Sequence, residues 1–376
     1  MWERLGGDRK QRVAMKFAGT PGLVLPGGGA RAAYQVGVLK AIAAVIDTVR
    51  LPFSAIAGVS AGAINAAKIA MYAEDFVEGV AALERIWAEM HSDDVFLMDY
   101  GSLQRFLSKT DKPMSLLDNS PLVELLHREI DTEAVHDSIG RGLLHGLAIT
   151  ASNYTTGGVT TFFQTRADVT GWNRRRWDRV AAYIGPDHVL ASSALPLLFP
   201  PQRIGDAFYV DGSLRMTAPL HPVINLGADR ILVIGVRNEA PSTPEPELAM
   251  PGIGEVGGYM LESLFAENLN ADMDRVGQIN ELRAQLSWWR RRSSGRRHIE
   301  VMVIRPSEDL RVIASRYAVL LPRGVRLFLR TVGGWGHEWR LPSYLLFEAP
   351  FTQALIDLGY RDGLKQRPAL EAFFSA

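Results

Sequence analysis

Cysteine is absent from the 376 residues, which excludes disulfides, thiolate metal sites and a cysteine nucleophile together. Lysine is scarce: 7 of the 41 basic residues are lysine and 34 are arginine. Arginine grips phosphate and carboxylate with a planar fork, although genome base composition biases a chain the same way. An excess of either charge is missing too, with 41 acidic residues against the 41 basic ones and an isoelectric point near 7.1. Such balance gives no global attraction to nucleic acid, so none is expected as a partner. No apolar run is long enough to cross a bilayer; the purest, Val36 to Val49, is broken by Lys40 and Asp47. Residues 1–19 are charged throughout and hold no apolar segment, so a flexible basic tail is expected there rather than a signal peptide. The expected location is cytoplasmic, with any membrane contact peripheral at the inner surface.

The rest of the composition is that of an ordinary globular chain: 47% hydrophobic, 22% charged, mean hydropathy +0.01. Its length suits one large domain with an extension, or two domains. Gly22–Leu25 reads as a buried strand and Pro26–Gly29 as a turn, and Ala30–Val49 has helical spacing. Pro52–Ala57 is a second short strand, followed by small helix formers over Ala61–Ala73. A strand–helix–strand–helix opening predicts a parallel sheet covered by helices. Further on, Gly142–Thr150, Thr160–Thr165 and Arg230–Val236 read as strands, Pro186–Leu195 as a helix, and Gln202–Val210 as a hairpin turning at Gly205-Asp206. Pro241–Pro246 has the composition of a linker, and a long helical pattern, a strand at Ile299–Ile304 and short helices follow it. The expected organisation is the tail, a catalytic domain over 20–236, and a mainly helical extension over 237–376 that packs on the core.

Three short motifs carry chemistry. Gly58-Val59-Ser60-Ala61-Gly62 is a G-x-S-x-G set between a strand and a helix. A nucleophilic serine needs its hydroxyl thrust out at such a turn, and the small neighbours Gly58 and Gly62 tolerate the strained backbone. Gly27-Gly28-Gly29-Ala30-Arg31 also lies between strand and helix. Consecutive glycines let backbone N–H groups approach a developing oxyanion, and Arg31 is placed to strengthen the positive end or to bind a phosphate head group. Asp211-Gly212-Ser213 follows the apolar strand residues Phe208–Val210; alone it is a common turn sequence, yet it leaves an acid at a strand end.

Order discriminates among architectures. An α/β-hydrolase carries several strands before its nucleophile and ends its triad on histidine. Here one strand–helix unit precedes Ser60, and none of the eight histidines sits in a strand-end motif. A dinucleotide fold also matches Gly27-x-Gly29-x-x-Ala32, but it wants an acid at the end of the next strand, where this chain has Ala57-Gly58 and then Ser60. These ordered motifs, with Ala191-Ser192-Ser193-Ala194-Leu195-Pro196 and Phe199-Pro200-Pro201 before the acid, resemble those of the patatin-like phospholipase family over roughly Gly22 to Val236. The family often has glycine where Ala32 stands, and glycine or alanine where Ser213 stands.

The resemblance implies a three-layer α/β/α fold with a mostly parallel central sheet, and a calcium-independent lipid acyl hydrolase with neither metal nor other cofactor. Ser60 would be the nucleophile, Asp211 the proton acceptor, and the Gly27–Gly29 loop with Arg31 the oxyanion hole. Other readings are a catalytically retired member that binds lipid or a protein, and an NAD-dependent oxidoreductase. A lipid ester is the expected substrate. Trp288, Trp289, Arg290, Arg291 and Arg292 pair interfacial aromatics with basic charge and are candidates for contact with an anionic membrane, though a helix end before a solvated loop has the same pattern. The apolar stripe between Tyr259 and Trp288 is expected to pack on the core rather than to form a lid.

Overall fold

The structure, a computed structural model, describes residues 19–98, 115–166, 177–238, 252–287, 297–336 and 338–375. The basic tail, the proline-rich stretch at 241–246 and the Trp288–Arg292 run lie outside the described residues or, for the tail, almost entirely so.

Among the described residues, nine strands form one mixed sheet. They are β1 (Pro21–Leu25), β2 (Ala55–Val59), β3 (Gly146–Asn153), β4 (Gly158–Thr165), β5 (Trp177–Ala181), β6 (Gln202–Ile204), β7 (Ala207–Asp211), β8 (Arg230–Ile234) and β9 (Glu300–Ile304). The main path runs β5-β4-β3-β2-β1-β8-β9. Its neighbours are parallel except β3 and β4, which form an antiparallel hairpin, while β7 pairs antiparallel with both β3 and β6.

Alternation along the strands makes the layers. Leu23 and Leu25 of β1, Ile56 of β2, Leu147 and Ile149 of β3 and Leu232 and Ile234 of β8 enter one apolar cluster. The residues between them, Val24, Ala57, Ala148, Ile231 and Val233, enter another on the opposite face. Side chains two apart share a face of a strand, so a sheet buried on both faces needs helices on both. The first face is covered by α1 (Ala33–Val45) and α2 (Ala61–Met71), with a C-terminal helix, Ala349–Lys365, packed over α1. Leu269, Met273 and Val276 of α3 (Ile253–Gln285) cover the second. This is the three-layer α/β/α arrangement, and the C-terminal part contributes β9 to the sheet edge as well as helices.

Boundaries moved for local reasons. The first helix stops at Val45 rather than Val49, because Asp47 takes a left-handed φ of 42°. The second strand runs over Ala55–Val59 instead of Pro52–Ala57, since proline has no N–H for a ladder and pairing with β3 continues to Val59 opposite Thr150. β5 has little apolar alternation, its middle residues Asp178 to Val180 being at most half-buried, and it carried no sequence signal. The α3 stripe does pack on the core through Leu261, Leu269, Met273 and Val276, while Ile279 and Leu282 lie exposed on the same helix. No helix among the described residues is long and apolar enough to cross a membrane.

Candidate active site

Two strand ends meet along one edge of β3. β2 pairs with β3 as far as Val59 opposite Thr150. At the next residue of β3, Ala151, the partner is Asp211, the last residue of β7 arriving from the other direction. The chain leaving β2 therefore presents Ser60 where β7 delivers Asp211. Both residues are buried, at 2% and 1% exposure.

Ser60 has φ 55° and ψ −134°, a conformation that a side chain rarely adopts, and α2 starts directly after it. Small neighbours make the turn possible. A Cβ on Gly62 would run into the backbone carbonyls of Leu25 and Pro26, and one on Gly58 would lie 2.6 Å from Ala66 Cβ. The turn is also tied from outside: the Ser60 N–H donates to Ser192 Oγ at 2.9 Å, and Ser192 Oγ donates to the Thr150 carbonyl at 2.6 Å. Ser192 belongs to the helix Pro186–Ser193, and Ala194, just beyond it, accepts from the Asp211 N–H at 2.8 Å. One short segment thus braces both strand ends.

The Asp211 carboxylate is asymmetrically bound. Oδ1 accepts from the Ser213 N–H at 2.8 Å, whereas Oδ2 is buried without a hydrogen-bond partner of normal geometry. Burial pushes its pKa up to about 6, with the Ser60 hydroxyl opposite and the amide and hydroxyl of Ser213 acting the other way. The serine is close enough to influence the acid without a well-formed hydrogen bond, a looseness common in unliganded sites. Gly212 leads away through a 3-10 turn over Gly212–Leu214, and a Cβ there would strike the Thr150 carbonyl.

The glycine loop completes the site. A Cβ built on Gly27 would lie 2.7 Å from Ser60 Cβ, 2.9 Å from Ser213 Oγ and 2.7 Å from the Phe265 ring, so only glycine leaves the space over the serine open. Among the described residues, none accepts a hydrogen bond from the amide N–H of Gly27, Gly28 or Gly29. Gly29 has φ +53°, and the 3-10 turn Gly29–Ala32 leads into α1. Buried amides that the sequence left unremarked hold this loop. Gln35 Nε2 donates to the Pro26 carbonyl at 2.9 Å and to the Ile234 carbonyl at 3.2 Å. Asn65 Nδ2 donates to Gln35 Oε1 at 2.8 Å, and Trp87 Nε1 donates to Asn65 Oδ1 at 2.8 Å. Two amides inside otherwise apolar helical patterns were the available signal.

Arg31 turns away from Ser60. Its guanidinium donates to Ser343 Oγ at 2.6 and 3.0 Å and to the Tyr344 hydroxyl at 3.1 Å, and lies 3.6 Å from Glu262 Oε1. The structure thus brings Ser60, Asp211, Gly27, Gly58, Gly62, Gly212 and Ser213 together and sets Arg31 in a neighbouring charged network. Beside Gly27 and Ser213 lies an apolar cavity of about 40 Å³, roofed by Phe265 and Leu269 of α3. It has room for about one water-sized group.

A strained serine at a strand-to-helix turn, an acid opposite it and the backbone amides of a glycine loop beside it form an arrangement suited to nucleophilic acyl chemistry. The family model for patatin-like phospholipase matches residues 23–224, more than half of the chain, and the chain belongs to that family. Membership supports lipid acyl hydrolysis as its general activity. Among solved structures, VipD from Legionella pneumophila matches with a TM-score of 0.33 and 14% identity over 94% of this chain and 72% of that one. Among curated proteins, none matches this sequence.

Proposed function

We propose that the protein hydrolyses carboxylic esters of lipids, as a phospholipase A or lysophospholipase, through an acyl-enzyme on Ser60. Asp211 Oδ2 takes the proton of the Ser60 hydroxyl as Oγ bonds to the ester carbonyl carbon. The carbonyl oxygen becomes an oxyanion and is met by amide N–H groups of the Gly27–Gly29 loop. The oxyanion collapses, the alcohol leaves with the proton held by Asp211, and the acyl group stays on Ser60. Water then attacks the acyl carbon as Asp211 takes its proton, and the second tetrahedral species collapses with that proton passed from Asp211 to Ser60 Oγ, which releases the fatty acid and restores both residues. No histidine takes part.

The observation that carries this reading is the unpartnered Oδ2 of Asp211 opposite the Ser60 hydroxyl. An unburied aspartate is a poor base for an alcohol, so burial that raises its proton affinity narrows the mismatch. Oxyanion stabilisation of about 3–4 kcal/mol per donor supplies more. The test is incubation of the protein with defined phospholipids, lysophospholipids and neutral glycerides, with mass analysis of products. Release of fatty acid by the parent and none by Ser60→Ala is expected; equal release from both would defeat the reading.

A further inference from the structure

A second serine hydroxyl faces the Ser60–Asp211 pair. Asp211 caps the 3-10 turn Gly212–Leu214, and its Oδ1 accepts from the Ser213 N–H at 2.8 Å. Any residue other than proline would donate that bond; the hydroxyl is what serine adds. Ser213 is buried, and its Oγ lies 2.9 Å from the point where a Cβ on Gly27 would stand. Ser60 Cβ lies 2.7 Å from the same point. The two serines therefore face each other across the bare backbone of Gly27. The turn that carries Ser213 is itself tied down, since the Gly212 carbonyl accepts from the Ser152 hydroxyl at 3.3 Å and from the Met216 N–H at 3.1 Å. Ser213 also lines the small cavity beneath Phe265 and Leu269, where the other lining side chains among the described residues are apolar. The group on which its hydroxyl acts is the Asp211 carboxylate.

A buried carboxylate stays ionised only through the donors that point at it. The start of α2 supplies the Ser60 hydroxyl, and the 3-10 turn supplies the amide and the hydroxyl of Ser213. β3 meets Asp211 with Ala151, and the segment after the helix Pro186–Ser193 meets it with Ala194. None of these groups carries a charge, so hydroxyl and amide dipoles alone offset the burial. One of them is spent during the reaction. Once an acyl group sits on Ser60 Oγ, that oxygen has no proton to donate, yet Asp211 must be ionised again to take the proton of water. Ser213 Oγ is the side-chain donor that remains beside the acid through both halves of the cycle.

We propose that Ser213 is a positioning residue for the base, its hydroxyl holding the Asp211 carboxylate in the charged form beside the reaction space, above all in the acyl-enzyme. Ser213 donates a hydrogen bond and gives up no proton, so the proton balance of the reaction is unchanged. Its part in turnover rests on the hydrolase reading above; its hold on the carboxylate does not.

Carbon-13 NMR of protein labelled at the aspartate carboxyls follows Asp211 without turnover, its signal assigned by absence from Asp211→Asn. The parent is expected to titrate with a midpoint near 6, and Ser213→Ala and Ser213→Gly about one pH unit higher. Both replacements are residues that the family often carries at this position, and circular dichroism reports that they are folded. A midpoint that is unchanged or lower in the variants overturns the proposal. With a cleavable ester, kcat/KM of each variant relative to the parent should fall about fivefold further at pH 6 than at pH 8.5. An equal loss at both pH values marks a packing role and overturns the part in turnover. A parent that cleaves no ester removes the hydrolase reading and leaves the NMR midpoint to decide this one.

Discussion

Ser60 and Asp211 stand at the abutting ends of two strands that share one edge of β3, Val59 pairing with Thr150 and Asp211 with Ala151. Adjacent rungs of a third strand set their separation, so the rigidity of the sheet passes directly to the pair.

Replacing Ser60 with alanine removes the only hydroxyl at the elbow while relieving none of the packing around it. Ester hydrolysis is expected to fall by at least about 10³-fold, and labelling by a fluorophosphonate to vanish. Gel fluorescence and a chromogenic ester assay read both.

Asp211 must be ionised to accept a proton. With its pKa pushed up to about 6 by burial, kcat/KM is expected to rise tenfold per pH unit below that value and to level off above it. A profile flat from pH 5 to 8 would remove Asp211 as the base.

The same shift has a stability consequence. A raised pKa means that the folded chain prefers the neutral acid. The stabilisation is complete below the ordinary value of 3.8 and is lost as pH rises through about 6. Asp211→Asn is therefore expected to melt higher than the parent at pH 7–8, by on the order of 1–3 kcal/mol, with the difference disappearing below pH 4. Turnover by this variant should be lost although it is the more stable protein.

Gly27→Ala sets a methyl group 2.7 Å from Ser60 Cβ and from the Phe265 ring. Since loss of one oxyanion donor typically costs about 10²–10³ in kcat, a fall of that size is expected. Circular dichroism should still report a folded chain.

Ser192→Ala leaves the Ser60 amide without its acceptor and the Thr150 carbonyl without its donor. A buried group left unsatisfied costs about 1–3 kcal/mol, so the thermal midpoint should drop. A lower kcat at unchanged KM would mark Ser192 as a positioning residue for the elbow.

The sequence alone determined the elements that local chemistry governs. Small residues flank Ser60 because its turn tolerates nothing larger, glycines after β1 because the chain passes over that serine, and alternating apolar residues marked most of the sheet. Charge balance and the missing cysteines narrowed the chemistry before any contact was known. Only tertiary structure decided how β7, some 150 positions downstream of Ser60, abuts β2, because that depends on both strands choosing the same edge of β3. It also decided the fate of Arg31, which adjoins the glycine loop in sequence yet turns toward Glu262, Ser343 and Tyr344 from distant helices. Burial of Asp211, and with it the raised pKa, is likewise a property of everything packed around the carboxylate. A single strand-end motif cannot encode the solvent it will lose.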